Sequence, residues 1–361
     1  MRKKTIPTLE KDTSSCTIWD IAELSGVSIA TVSRVLNGKP HVSASLRQKV
    51  LDSAKELGYI EKSHAISEGK TQPRFIGLTS ASMHSGEYAE ILAGVTEALH
   101  AHNGRPVICP IPNRHNWNMP LLERVMYGTT EGALILGTTT DEDDELVAAY
   151  QSGFPLVILN PSRPVDVHLP VVAVSRWNAV KGAVEYLLSL GHRHICAIVA
   201  RSSRYSSRFQ FDNTDSVAGF QAALLAAGLP ATAALVHESE RDTKESAYQV
   251  ATQLLAMQEP PTAILALSDA MAIGVLHAAH DKGLDVPKEL SVIGFDDLEP
   301  ARMAIPALTT IQQPFLEIGR IGVDMLYRLM NDQKLDATRV ELTAKLIIRN
   351  STAPLSEKRR A

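Results

Sequence analysis

Between Ser28 and Asn37 the residues able to make directed polar contacts recur at helical spacing. Val32, Val35 and Leu36 fall on one face, whereas Ala30, Ser33, Arg34 and Asn37 point the other way. That outward face is short, polar and once positively charged, as a helix reading base edges in a DNA groove requires. Its chemistry is hydrogen bonding. A second set of polar residues follows short apolar runs: Asn160 after Leu156 to Leu159, Ser268 and Asp269 after Ala263 to Leu267, and Asp296 and Asp297 after Ser291 to Phe295. If those runs are strands of open α/β sheets, the polar residues stand where such folds bind small molecules, beyond the strands' carboxyl ends. Each also has a plainer reading, as a helix cap for Ser268 and a turn residue for Asp296 or Asp297.

The elements that must position the first set are helices. Thr17 is a cap candidate before Ile18, Ile21 and Ala22, and the run stops at Ser25-Gly26. Ser28 opens a second helix. A third follows Val42-Ser43, with Leu46, Val50, Ala54 and Leu57 in line and Gly58 as its stop. Three such helices can share one small core. An ordinary helical hairpin with a solvated polar face has the same pattern, so periodicity alone leaves both readings open.

From Arg74 onward, strand-length apolar runs alternate with amphipathic segments. Strands are expected at Phe75 to Leu78, Val107 to Ile111, Ala133 to Leu136, Leu156 to Leu159, Ile195 to Val199, Ala263 to Leu267 and Ser291 to Phe295. Helices are expected at Tyr88 to His102, Leu121 to Tyr127, Glu145 to Tyr150, Ala179 to Leu190, Val217 to Ala227, Ala247 to Met257 and Met271 to Asp281. Alternation implies parallel sheets covered by helices, and the restart after Asn160-Pro161-Ser162-Arg163-Pro164 implies two subdomains.

The chain of 361 residues is long enough for several domains. No run of about 18 uncharged apolar residues is present, and the first 15 residues lack an apolar signal region, so a cytoplasmic location without a membrane span is expected. Cys16, Cys109 and Cys196 are isolated and lack metal spacing. The acidic run Asp141 to Glu145 reads as a helix start, and neither a metal nor a cofactor is expected. Net charge is -4, yet residues 1 to 72 carry 11 Lys/Arg against 8 Asp/Glu. A modestly positive amino-terminal segment suits phosphates, and a small excess points to two copies acting together.

Ile21 to Ser28, Thr31 to Gly38, Val42-Ser43 and Glu56-Leu57-Gly58-Tyr59 closely resemble the headpiece of the LacI/GalR family of bacterial transcription regulators. The segments Leu190 to Ile195, Ser268 to Gly274, Val286 to Asp297 and Leu308 to Pro314 resemble core motifs of the same family. The resemblance implies an α/β protein with a helix-turn-helix headpiece and a periplasmic-binding-protein-like core of two lobes. It implies an arm over 1–15, a headpiece over 16–60, a hinge over 61–73, a core over 74–352 and a tail over 353–361. Lobe crossings are expected near 174, 311 and 342, giving lobe 1 as 74–174 with 312–342 and lobe 2 as 175–311 with 343–352.

By the same resemblance, Thr17, Ser28, Thr31, Ser33, Arg34, Asn37 and His41 are expected to contact DNA, with Ile29 and Ala30 setting half-site preference through thymine methyls. Tyr88, Asn160, Ser216, Ser268, Asp296, Gln313 and Phe315 are expected to line an effector site. A carboxylate such as Asp296 suits vicinal hydroxyls and a ring such as Phe315 suits a sugar face, although Phe315 reads equally as core. The expected partners are a pseudo-palindromic duplex, a carbohydrate-like effector and a second copy of the chain, since no carboxy-terminal zipper follows Thr352.

Several positions depart from the family pattern. Glu61, Lys62 and Glu68 replace the usual hinge residues, and a carboxylate cannot serve as an apolar wedge in the minor groove. Ser216 stands where sugar-responsive relatives carry Arg, Ser175-Arg176 replaces an acidic pair, and Ser85-Gly86-Glu87 precedes Tyr88. These changes support an alternative, a DNA-binding regulator with no small-molecule effector. A solute receptor would share the lobes but need export. An enzyme would need a catalytic constellation, and no phosphate loop, nucleophile elbow or acid-base pair stands out.

Overall fold

The computed structural model describes residues 18–36, 42–57, 73–80, 86–110, 130–136, 143–161, 164–201, 213–232 and 235–355. Thr17, Asn37, His41, the amino-terminal arm, hinge residues 61–72 and the helix expected over 121–127 lie outside these.

The headpiece comprises α1 (Ile18–Ser25), α2 (Ile29–Leu36) and α3 (Ala44–Glu56). Ile18, Ile21, Val32, Val35, Val50 and Ala54 interlock as its core, which the 3.6-residue period of the sequence encodes. Gly26 turns the chain at φ +63°, a conformation that costs glycine little. Ser28 accepts a hydrogen bond from the Thr31 amide at 3.2 Å, and Ser43 caps α3 through the Leu46 amide.

Ala30 departs from the expected outward, open position. It is buried, because the turn at Gly153 of the core stands against Ala30 and Arg34. The Arg34 guanidinium also lies 3.6 Å from the Asp332 carboxylate, with both side chains well exposed. An exposed pair of this kind contributes at most about 1 kcal/mol, so it offers little resistance to the headpiece leaving this position.

The core holds two six-stranded sheets. The first contains β1 (Arg74–Ser80), β2 (Gly104–Pro110), β3 (Gly132–Leu136), β4 (Leu156–Leu159), β5 (Val171–Val174) and β11 (Arg339–Leu342), in the order β11-β5-β4-β3-β1-β2, with every pairing parallel. The second contains β6 (Ile195–Ala200), β7 (Val236–Ser239), β8 (Ala263–Ala266), β9 (Ser291–Asp296), β10 (Thr309–Gln312) and β12 (Lys345–Ile347), in the order β12-β10-β9-β8-β6-β7. Its pairings are parallel except that of β12 with β10. Strands β3, β4, β5, β6 and β8 are buried along their whole length, the signature of sheets covered on both faces.

The covering helices are α4 (Gly86–Ala101), α5 (Asp143–Gln151), α6 (Arg176–Ser189), α7 (Thr214–Ala226), α8 (Lys244–Leu254), α9 (Asp269–Asp281), the short α10 (Glu299–Met303) and α11 (Phe315–Met330). Helices α4 and α11 meet unusually closely. A Cβ at Gly94 would lie 2.1 Å from the Leu316 carbonyl oxygen, so only glycine permits the approach. The chain passes from the first sheet to the second after Val174, returns through α11 after Gln312, and passes once more after Leu342.

Strands β5, β7, β10, β11 and β12 have no counterpart among the strands expected from the sequence. The reason is physical. They hold only three or four residues each, and β7 (Val-His-Glu-Ser), β11 and β12 lack a buried apolar run. Residues 353–355 are anchored to the second lobe: the Leu355 amide donates to the Leu190 carbonyl, and His192 contacts the Ala353 carbonyl at 3.1 Å. Burial lowers the pKa of His192, so the ring is held neutral between Ala353 and Thr262.

Candidate functional site

The carboxyl ends of β4 and β9, the first turn of α4 and the segment after β10 converge on one polar cluster between the sheets. Asn160 directly follows β4 and adopts φ +42°. Asp296 ends β9 at φ +120°, and Asp297 follows at φ +61°. Left-handed backbone at residues other than glycine costs on the order of 1–3 kcal/mol each and gathers where function needs it.

A relay of hydrogen bonds joins the two lobes. Asn160 Nδ2 donates to Glu87 Oε1 at 2.6 Å and to Gln313 Oε1 at 3.2 Å, and Gln313 Nε2 donates to Asp296 Oδ1 at 2.7 Å. In this arrangement each amide turns its NH2 group toward a carboxyl oxygen that accepts from it. Asn160 Oδ1 is buried and, among the described residues, without a partner.

Glu87 and Asp296 thus face one shared space from opposite lobes, and two further charged groups reach it. Asp242, in the turn after β7, accepts a hydrogen bond from Ser268 Oγ, which also caps α9 through the Met271 amide. Arg176, opening α6, places its guanidinium carbon 5.3 Å from the Phe295 ring centroid. Burial raises the pKa of Asp296 well above the carboxylate range, reinforced by the charges of Glu87, Asp269 and Asp242. Burial likewise raises Glu87 and Asp242, and the charge of Arg176 opposes both shifts. Asp269 sits just behind, accepting from Thr310 Oγ1 at 2.6 Å and the Leu298 amide at 2.8 Å, and burial pushes its pKa to about 6.

Of the residues expected to line an effector site, Asn160, Gln313 and Asp296 are joined by the relay, and Ser268 enters through Asp242. Tyr88 and Phe315 pack into the apolar cluster of the first lobe. Ser216 is buried in the first turn of α7, outside the relay. Asp297 is held by Arg349 at 2.5 Å and Gln312 at 2.8 Å as a structural ion pair. Arg201 pairs with Glu238 at 3.1 Å on an exposed edge.

Glu87 and Arg176 were legible only as departures from a pattern, and Asp242 was not singled out at all. Reading β7 as a strand would have placed Asp242 just past its carboxyl end. Among the described residues no group of three or more His, Cys, Asp or Glu side chains is arranged to hold a metal, and no helix is long and apolar enough to cross a membrane. Burial pushes the Cys196 thiol up to about 11, which keeps it protonated and unreactive.

Of the described candidates for DNA contact, Arg34 is the charged one, on the exposed side of α2 with Ser33 preceding it. Thr31 shares a hydrogen bond with Ser28 at 2.9 Å near the amino end of that helix.

A three-helix headpiece and two parallel-sheet lobes with a polar cleft between them are the architecture of a DNA-binding regulator. Residues 17–61 match the model of the bacterial regulatory proteins of the lacI family, and residues 184–352 match a periplasmic binding protein-like domain. The chain is 30% identical to catabolite control protein A of Priestia megaterium, over 93% of this chain and 99% of that protein. It is 29% identical to the HTH-type transcriptional repressor CytR of Escherichia coli K12, over 96% and 99% respectively. Among solved structures, the transcriptional regulator CelR–cellobiose complex superposes with a TM-score of 0.68 at 26% identity, covering 93% of this chain and all of that one. The lac repressor dimer bound to operator and the anti-inducer ONPF superposes at 0.64 and 26% identity, covering 94% and 100%. The chain belongs to the LacI family and is a DNA-binding transcription regulator.

Proposed function

We propose that this chain is a homodimeric repressor whose affinity for a pseudo-palindromic operator is set by a small molecule bound between its lobes. The relay Glu87–Asn160–Gln313–Asp296 carries this reading, because it places hydrogen-bonding groups of both lobes and of a lobe crossing in one cleft at the strand ends. A ligand that re-pairs these groups changes the angle between lobes, and with it the separation of the two headpieces in a dimer. Couplings of this kind are typically about 1 to 3 kcal/mol. Thr17, Ser28, Thr31, Ser33, Arg34, Asn37 and His41 are assigned to phosphate and base contacts, with Ile29 and Ala30 at the positions that set half-site preference.

Selection of random duplexes by the purified protein at fixed salt tests the DNA half of the reading. The expected product is a palindromic site that an Arg34→Ala variant fails to enrich. Weak, sequence-blind binding that salt erases would defeat it.

One observation favours a regulator without an effector: the relay already bridges the cleft by itself. Against this stand the unpartnered Asn160 Oδ1 and the mutual repulsion of Glu87, Asp242 and Asp296, both of which a bound molecule would relieve.

A further inference from the structure

We propose, resting on the cleft reading above, that the effector carries a protonated amine. The cleft presents an unusual inventory of groups. Glu87 comes from the first lobe, and Asp242 and Asp296 from the second, so three carboxyl groups face one space from both sides. Among the described residues one cation, Arg176, interacts with Glu87 and Asp242. Burial weighs most heavily on Asp296, and with that group protonated the described set still holds the Glu87 and Asp242 carboxyls against one guanidinium.

The neutral groups add to the same imbalance. Both N–H groups of Asn160 have acceptors in Glu87 and Gln313, one N–H of Gln313 donates to Asp296, and the hydroxyl of Ser268 donates to Asp242. Among the described residues an acceptor at the relay, Asn160 Oδ1, has no partner, on a residue that is 3% exposed. That buried oxygen is independent of the carboxyl cluster and calls for an N–H or O–H from a ligand. An ammonium group supplies three donors and one positive charge together, which complements the carboxyl groups and the open acceptor of the described wall.

An acid or phosphorylated sugar fits poorly, since it would bring a further negative charge against Glu87, Asp242 and Asp296. A neutral sugar can donate hydrogen bonds but leaves the repulsion between the lobes in place. An ammonium lying between Glu87 and Asp296 attracts both lobes inward, so recognition and closure become the same event. The ligand class that meets the charge and the remaining acceptor is a small amine that also bears hydroxyls, such as a 2-amino-2-deoxyhexose.

The test is a thermal-shift series on the full-length protein at neutral pH. The probes are glucosamine, galactosamine, mannosamine and putrescine, each beside a counterpart lacking the charge (glucose, galactose, mannose, the N-acetylhexosamines and butanediol), with glucose 6-phosphate and gluconate as acids. At least one amine is expected to raise Tm at a concentration ten-fold or more below that needed by its neutral counterpart. Glu87→Gln, which keeps the size of the side chain and an oxygen for Asn160, should abolish that preference. Arg176→Ala should strengthen amine binding by removing the competing cation, a gain that a merely damaged fold would not give. Stabilisation by neutral or acidic probes but by no amine would overturn the amine assignment and leave the cleft reading standing. No shift with any probe class, from a protein that still selects a palindromic duplex, would overturn the cleft reading as well.

Discussion

Gln313 Nε2 donates to Asp296 Oδ1 at 2.7 Å, linking a residue on a lobe crossing to a carboxyl group at the end of β9. The bond is one of few things that stabilise the charged form of Asp296 against its burial. Gln313→Ala therefore leaves a buried carboxyl without its donor, at a cost of about 1–3 kcal/mol. The loss should be larger at pH 8 than at pH 5, where Asp296 is more easily neutralised. Chemical denaturation at the two pH values checks this, and an equal loss at both would sink it.

Asp269 gives a second titration signature. Its folded pKa of about 6 lies above the ordinary aspartate value of 3.8, so between those pH values the folded protein binds more protons than the unfolded chain. Its contribution to stability is therefore most favourable below pH 4 and is lost as pH rises through 6. Relative to an Asp269→Asn variant, which cannot titrate, the wild type should gain stability when pH falls from 7 to 4. A difference that stays flat across that window would mean the carboxyl is not held as described.

On the DNA side, Arg34→Ala should weaken operator binding and reduce the slope of log affinity against log salt by about one if the guanidinium meets a phosphate. If it reads a base instead, the slope should hold while discrimination at one operator position falls by about 1–3 kcal/mol. Folding stability should barely change either way, since the Arg34–Asp332 pair is exposed. A variant that binds like the wild type removes Arg34 from the interface.

Ala30→Gln should alter the preferred half-site, read as a changed binding logo from duplex selection. An unchanged logo would end the assignment of this position to base readout.

Packing between the two helices that flank the cleft supplies a further test. Gly94→Ala sets a methyl group 2.1 Å from the Leu316 carbonyl oxygen, so α4 and α11 must separate. Overpacking of this kind costs about 1–3 kcal/mol, and a lowered denaturation midpoint is expected. Unchanged stability would contradict the close helix contact.

The fold class was legible because its signals are periodic. Ile18, Ile21, Val32 and Val35 repeat at helical spacing, and the buried strands of both sheets read as continuous apolar runs. Three of the missing strands share a cause: β7, β11 and β12 are short edge elements with exposed positions, which carry neither alternation nor a buried run. The cleft was partly legible. Asn160, Ser268 and Asp296 stand just past recognisable strands, whereas Asp242 follows one that was hidden. Phe315 shows the limit of a residue-by-residue reading: an aromatic beside a cleft and an aromatic in a core have the same letter, and the structure puts its ring in the apolar cluster.

The return of the chain to the first lobe begins at Gln313, so one of the three segments that tether the lobes is itself part of the cleft wall. A molecule touching Gln313 presses on the pivot rather than on the end of a lever. Motion about such an axis is smallest where the molecule sits and largest at the far edges of the lobes. Under the proposed reading, sensor and axle are one element, with no chain of intermediaries needed between them.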